Sequence, residues 1–175
     1  MSFGQEPKFL TRQVVDAIHE DQINTFGGLH GVRDENALES AIAAAQNVYH
    51  YGGGDMYEVA AAYAWHLAES QAYFDGNKRT GVEAAFVFLE GSGLDTSGIP
   101  EQTTYDLMIK IAAHEAGRGD FAAYLRSELT REQTPDLRAL MNEGELQRES
   151  EQAKKQEQDQ ENGNEGPLRE GSRKP

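Results

Sequence analysis

Cysteine is absent from the 175 residues, which excludes a disulfide-stapled scaffold and any thiolate metal centre. Long apolar runs are missing as well. No stretch approaches the ~20 residues that a membrane-crossing helix needs, and the opening MSFGQEPKF lacks the basic-then-apolar pattern of a secretory leader. The expectation is a cytoplasmic protein with no membrane attachment. Positive charge is scarce: 16 Lys and Arg stand against 30 Asp and Glu, a formal net charge of −14. Binding to a phosphate backbone runs mainly on Lys and Arg, so this balance argues against direct contact with nucleic acid. Within the part expected to fold, the one compact basic pair is Lys78-Arg79, too small for a duplex but suited to a small phosphorylated ligand.

What the chain does have is helical periodicity. Its hydrophobic content of 38% suffices for one core of ordinary domain size. From Thr11 to Phe26 the positions Val14, Val15, Ile18, Ile23 and Phe26 recur at helical spacing, and Gly27-Gly28 is a helix stop. Asp34 is placed to cap a second helix, with Leu38, Ala41, Ile42 and Ala45 as its apolar stripe to about Asn47. Tyr49 to Gly54 mixes aromatics with three glycines and reads as a loop or flap.

Asp55 opens a third helix around Val59, Ala62, Tyr63, Trp65 and His66, rich enough in Ala and aromatics to be buried on most sides. It must end near Ser70, because Asp75-Gly76-Asn77 is turn chemistry. A fourth helix fits Lys78 to Glu90, stopped by Gly91 and Gly93, and two more fit Gln102 to Ala116 and Asp120 to Leu129. No alternating run demands a sheet. The fold class expected is all-α, a bundle of about six helices with a Gly-rich flap, over residues 8–129. From residue 130 onward Glu, Gln, Lys, Asn and Gly dominate and aromatics vanish, so residues 130–175 read as a disordered acidic tail. Leu137, Leu140 and Met141 within it also fit a short amphipathic turn.

The stretch with chemical content is Asp75-Gly76-Asn77-Lys78-Arg79-Thr80. A helix N-terminus carries unpaired N–H groups and partial positive charge, so a Gly-Asn turn feeding a helix is an anion cradle. Gly76 lets a phosphate approach the backbone, Asn77 can cap the helix or donate its amide, and Lys78 and Arg79 supply charge. Asp75 beside them suits Mg²⁺, which takes one or two carboxylates plus substrate phosphates. On residue types alone the same six residues also read as a polar turn and a solvated helix start.

Ala72-Tyr73-Phe74-Asp75-Gly76-Asn77-Lys78-Arg79-Thr80 resembles the Fic/Doc signature HxFx(D/E)(A/G)N(K/G)R. Phe26-Gly27-Gly28, Gly31-Val32-Arg33-Asp34 and Leu38-Glu39-Ser40-Ala41 resemble further blocks of the death-on-curing group, as does Phe86-Val87-Phe88-Leu89 with Gly93-Leu94. The resemblance implies a helical domain that binds Mg-ATP, with Asp75 as metal ligand and Gly76, Asn77, Lys78 and Arg79 on the nucleotide. It implies transfer to a Ser or Thr hydroxyl of a protein target, with elongation factor Tu and an antitoxin as the partners of the Doc type. It also implies a flap across the site that pairs with a target segment, for which Tyr49 to Gly54 matches in approximate position.

Two departures and one near match qualify the resemblance. The family's catalytic base is the His that opens the signature, and Gln71 stands there, preceded by Ser70. An amide cannot take a proton near neutrality, and loss of a general base costs about 10² to 10⁴ in rate. Two readings therefore stand side by side, a transferase with Gln71 orienting the acceptor and a pseudoenzyme that kept the cradle. Next, Lys78 and Val82 occupy positions where AMP-transferring members have Gly and a second Arg, so phosphoryl transfer is favoured over adenylyl transfer, although Gly76 is closer to Fic than to the usual Ala of Doc. Last, Met141-Asn142-Glu143-Gly144 echoes the inhibitory pattern (S/T)xxxE(G/N) but has Ala139 where Ser or Thr belongs, and reads as coincidence. Among other histidines, His66 reads as a packed neighbour of Trp65, His50 as a flap residue that could reach the site, and His19, His30 and His114 as surface or helix-face residues.

Overall fold

The computed structural model describes residues 6–133. The proposed tail beyond residue 133, with its Leu137-Leu140-Met141 turn and the stretch Ala139 to Gly144, lies outside the described residues. Six helices follow in order: α1 (Arg12–Phe26), α2 (Glu35–His50), α3 (Met56–Ser70), α4 (Asn77–Gly91), α5 (Glu101–Ala112) and α6 (Arg118–Gln133). Among the described residues the sole extended pairing is one antiparallel bridge, Val32 to Tyr73. The all-α expectation therefore holds.

Side-chain caps explain the starts of the first three helices. Thr11 caps α1 by accepting the Val14 N–H, and Asp34 caps α2 by accepting that of Ala37. Asp55 and Glu58 form a reciprocal capping box on α3. Some ends differ from the periodicity. Helix α2 runs three residues past Asn47, because the Tyr51 N–H still finds the Asn47 carbonyl. Tyr49 and His50 are therefore helical, and the expected loop shrinks to a tight turn in which the Gly54 N–H bonds Val48 O. Gly91 closes α4 from inside rather than stopping it, and the left-handed Gly93 takes that role. Helix α5 ends four residues before Ala116, whose N–H, like that of Glu115, folds back onto the Lys110 carbonyl. Helix α6 begins at Arg118 and continues to Gln133, past the boundary set at Leu129.

Helix α3 is the central element. Val59, Ala60, Ala61, Ala62, Tyr63 and Ala64 have no exposed surface, which accounts for the run of small residues. Helix α4 packs against α3 so closely at Gly81 that a Cβ there would meet the Ala64 carbonyl oxygen at 2.6 Å. Helix α1 packs on α4, and α2 and α6 pack on α3. No helix among the described residues is long and apolar enough to cross a membrane.

Two connections matter for function, residues 27–34 between α1 and α2 and residues 71–76 between α3 and α4. They lie side by side. The Arg33 and Asp34 N–H groups both donate to Ala72 O, at 2.7 and 3.0 Å, and the Phe74 N–H donates to Gly31 O at 3.2 Å.

Candidate active site

The signature loop is built outward from Asn77, the first residue of α4. Its side chain is buried, and its amide makes a two-way pair with Tyr73: the Tyr73 N–H donates to Oδ1 and Nδ2 donates to Tyr73 O, both at 2.9 Å. Residues 73 to 77 are thereby closed into a compact turn. Because both halves of the amide are used within the protein, the side chain neither caps α4 nor reaches out to a phosphate, the roles its sequence position suggested. What Asn77 leaves for a ligand is its backbone N–H.

Gly76 is the N-cap of α4 and lies at φ +75°. A side chain there would be strained by the left-handed backbone, and its Cβ would meet Ile23 Cδ1 at 2.9 Å. The first helical bond is Thr80 N–H to Gly76 O at 2.9 Å. The N–H groups of Asn77, Lys78 and Arg79 precede it and are those a helix leaves unpaired inside itself. They supply partial positive charge at the start of α4.

Asp75 is exposed. Its Oδ1 accepts the adjacent Gly76 N–H at 2.6 Å, and its Oδ2 lies against Gly28, where a Cβ would sit only 2.6 Å from it. The carboxylate is thus held at the mouth of α4 between two glycine-bearing loops. Arg79 donates from Nη2 to Gly27 O at 3.0 Å, and its guanidinium lies 5.7 Å from the centre of the Phe26 ring. Lys78 is exposed on the same turn. Asp75, Gly76, the amide edge of α4 and Arg79 therefore converge with the Phe26-Gly27-Gly28 turn.

Gln71 sits at the other end of the loop, as the C-cap of α3 in left-handed conformation (φ 51°, ψ 30°). It is exposed, and its amide makes one long contact, 3.4 Å to Ala68 O. An amide in this place offers hydrogen bonds but no proton-accepting capacity.

Other histidines do not fill the gap. His66 is half-buried on α3, where burial first and then the Arg118 charge push its imidazole below the ordinary range. His50 packs 5.0 Å from Phe9, which stacks on Phe88. Phe88 lies eleven residues after Asn77 on α4, about 16 Å along the helix, so His50 belongs to the far end of α4 and not to the signature loop. His30 and His114 are exposed, as expected.

His19 departs from its surface reading. It is 2% exposed, its ring stacks on Tyr73 at 3.8 Å and 5°, and its Nε2 lies 3.0 Å from Asp75 O. One turn earlier on α1, Asp16 accepts the Tyr73 hydroxyl at 2.8 Å. Burial, followed by that bond, pushes the phenol well above its ordinary range. A sequence signal existed. His19 and Gln22 occupy the same stripe as Val15, Ile18 and Ile23, all buried on α1.

Comparison with known proteins agrees with this geometry. Residues 9–89 match the profile described as the Fic/DOC family, a span that includes both paired loops. The chain is 32% identical over 111 residues to the "Protein kinase doc" of Escherichia phage P1, covering 63% of this chain and 86% of that protein. It is 35% identical over 105 residues to the "Toxin Doc" of Mycolicibacterium smegmatis, covering 57% of this chain and 79% of that one. With the signature loop docked on the Phe26-Gly27-Gly28 turn and this likeness to two Doc proteins, the chain belongs to the Fic/DOC family.

Proposed function

We propose that the protein is a death-on-curing-type transferase that binds Mg-ATP at the start of α4 and passes a phosphoryl group to a Ser or Thr hydroxyl of a protein target. The reading is carried by one observation: the start of α4, whose Asn77, Lys78 and Arg79 amides have no side-chain cap, lies beside an exposed Asp75 carboxylate. Its relatives' names, a protein kinase and a toxin, support the same class, and a toxin role brings with it an antitoxin partner.

The residues present fit the ligand. The α4 amides and the Lys78 and Arg79 side chains would take phosphate oxygens, and Asp75 would hold Mg²⁺ through Oδ2, the oxygen not engaged with Gly76 N–H. When bound, the ion would neutralise charge on the phosphates. The chain's own contribution is positioning and electrostatics, the main resource for phosphoryl transfer. In the reaction the acceptor oxygen bonds to the terminal phosphorus, ADP leaves, and the hydroxyl proton must depart. Gln71 can orient the hydroxyl by hydrogen bonding but cannot take that proton, so it passes to solvent and turnover is slow.

Labelled ATP tests the assignment. Incubation with cell lysate should transfer label from the γ position and not from the α position; α label on protein would convert the reading to adenylyl transfer, and no label on any protein would remove the transferase. A second reading rests on Gln71 itself: an exposed amide in place of a base favours a pseudoenzyme that binds nucleotide and a partner protein without catalysis. That reading requires ATP binding with no transfer.

A further inference from the structure

The side of α1 that faces the signature loop carries more than packing. Arg12, Asp16, His19 and Ile23 recur every three or four residues along α1 and each has a defined role. Arg12 is tied to Asp16 at 2.8 Å and to Glu35 and Glu39 of α2 at 2.6 and 3.1 Å. Asp16 takes the Tyr73 hydroxyl, His19 takes the Tyr73 ring and the Asp75 carbonyl, and Ile23 fills the space left by Gly76 and Gly28. The stripe ends directly beneath the peptide that joins the carboxylate-bearing residue to the N-cap of α4.

We infer that His19 is a positioning residue for the nucleotide site, fixing the Asp75–Gly76 peptide so that the Asp75 carboxylate and the first α4 amides point to one ligand. This rests on the proposed Mg-ATP reading and deepens it. The Asp75 carbonyl can only accept, so the contact requires the proton on Nε2. That peptide has a glycine at φ +75° on one side and an exposed residue on the other. Gly76 can rotate at small cost, and without the His19 bond the peptide would lose its partner on α1. The Tyr73 stack holds the imidazole plane, and the Asp16 bond holds Tyr73. Orientation thus passes from α1 to the loop through two groups that touch no substrate.

Two substitutions separate the donor from the ring. His19→Phe keeps the stack on Tyr73 and removes the donor; His19→Gln keeps a terminal N–H and loses the ring. With His19→Phe, backbone amide exchange over residues 74–79 should rise by about tenfold or more while α3 and α6 stay protected, and Mg-ATP affinity by calorimetry should weaken on the order of tenfold. His19→Gln should recover most of both. A structural role alone predicts exchange rising across all helices, a lower Tm and unchanged affinity of the folded fraction. In the unmodified protein, nitrogen NMR should find His19 protonated at Nε2; a lone pair there would overturn the inference without any variant. If the natural chain binds no Mg-ATP, the ligand reading fails, and local exchange in residues 74–79 still decides whether His19 positions the loop.

Discussion

The two ends of the signature loop are built on opposite plans. From Ala72 to Arg79 nearly every residue is tied down: Ala72 and Phe74 by the 31–34 strand-like segment, Tyr73 by Asn77, Asp16 and His19, Arg79 by Gly27. At Gln71, in an exposed left-handed cap, the side chain makes one long hydrogen bond among the described residues, to Ala68 O. Preorganised donors give binding at little further entropic cost. The half proposed to bind is held in that way, and the half where the resemblance places a base carries the amide of Gln71. Under the proposed function, the contrast teaches that a cradle and a base are separable parts even five residues apart.

The largest effect should come from restoring the missing half. Gln71→His should raise transfer by about 10² to 10⁴, the usual contribution of a general base, measured as label transferred per unit time at saturating ATP. Equal rates in both forms would show that the acceptor proton never depended on residue 71 and would erase the contrast between the ends.

Next in size is damage to the tied half. Asn77→Ala leaves the buried Tyr73 N–H and carbonyl without their partner, each worth about 1–3 kcal/mol, so stability should fall by about 3 kcal/mol and Tm by about 10 °C, with nucleotide binding lost. Lys78→Ala, one residue on but exposed, should stay within about 0.5 kcal/mol of the parent. Thermal melts of the two variants check the pair; similar losses in both would mean that the loop is not held through Asn77.

A smaller effect concerns His66, on α3 five residues before Gln71. Burial lowers its pKa from 6.5 in the unfolded chain, so the folded protein resists a proton that the unfolded chain accepts. Its contribution to stability is therefore complete above pH 6.5 and declines as pH falls below that value. His66→Gln should flatten the decline in Tm between neutrality and about pH 5. An unchanged slope would assign acid sensitivity to other groups and leave the α3 end of the loop without a titrating neighbour.

Much of this was legible in the residues because the physics is local. Asp34 and Asp55 announce helix starts through side-chain bonds spanning two or three residues, and Asp-Gly-Asn announces a turn before α4. Helix ends were less legible, since Tyr51 and Gly93 act through backbone bonds that composition does not encode. The burial of His19 was legible only as an anomaly, a polar residue in a buried stripe, because its partners Tyr73 and Asp75 come 54 and 56 positions later.

Sequence alone determined the helical bundle, the turn that precedes α4 and the presence of Gln71 before it, since periodicity, capping and residue type act within a few residues. Tertiary structure decided how the signature loop is held: that Asn77 spends its amide on Tyr73, that Arg79 reaches back to Gly27, and that His19 on α1 meets the Asp75 carbonyl. Those contacts depend on which groups face each other once α1 and α4 pack, a matter of distance in space that no spacing along the chain contains.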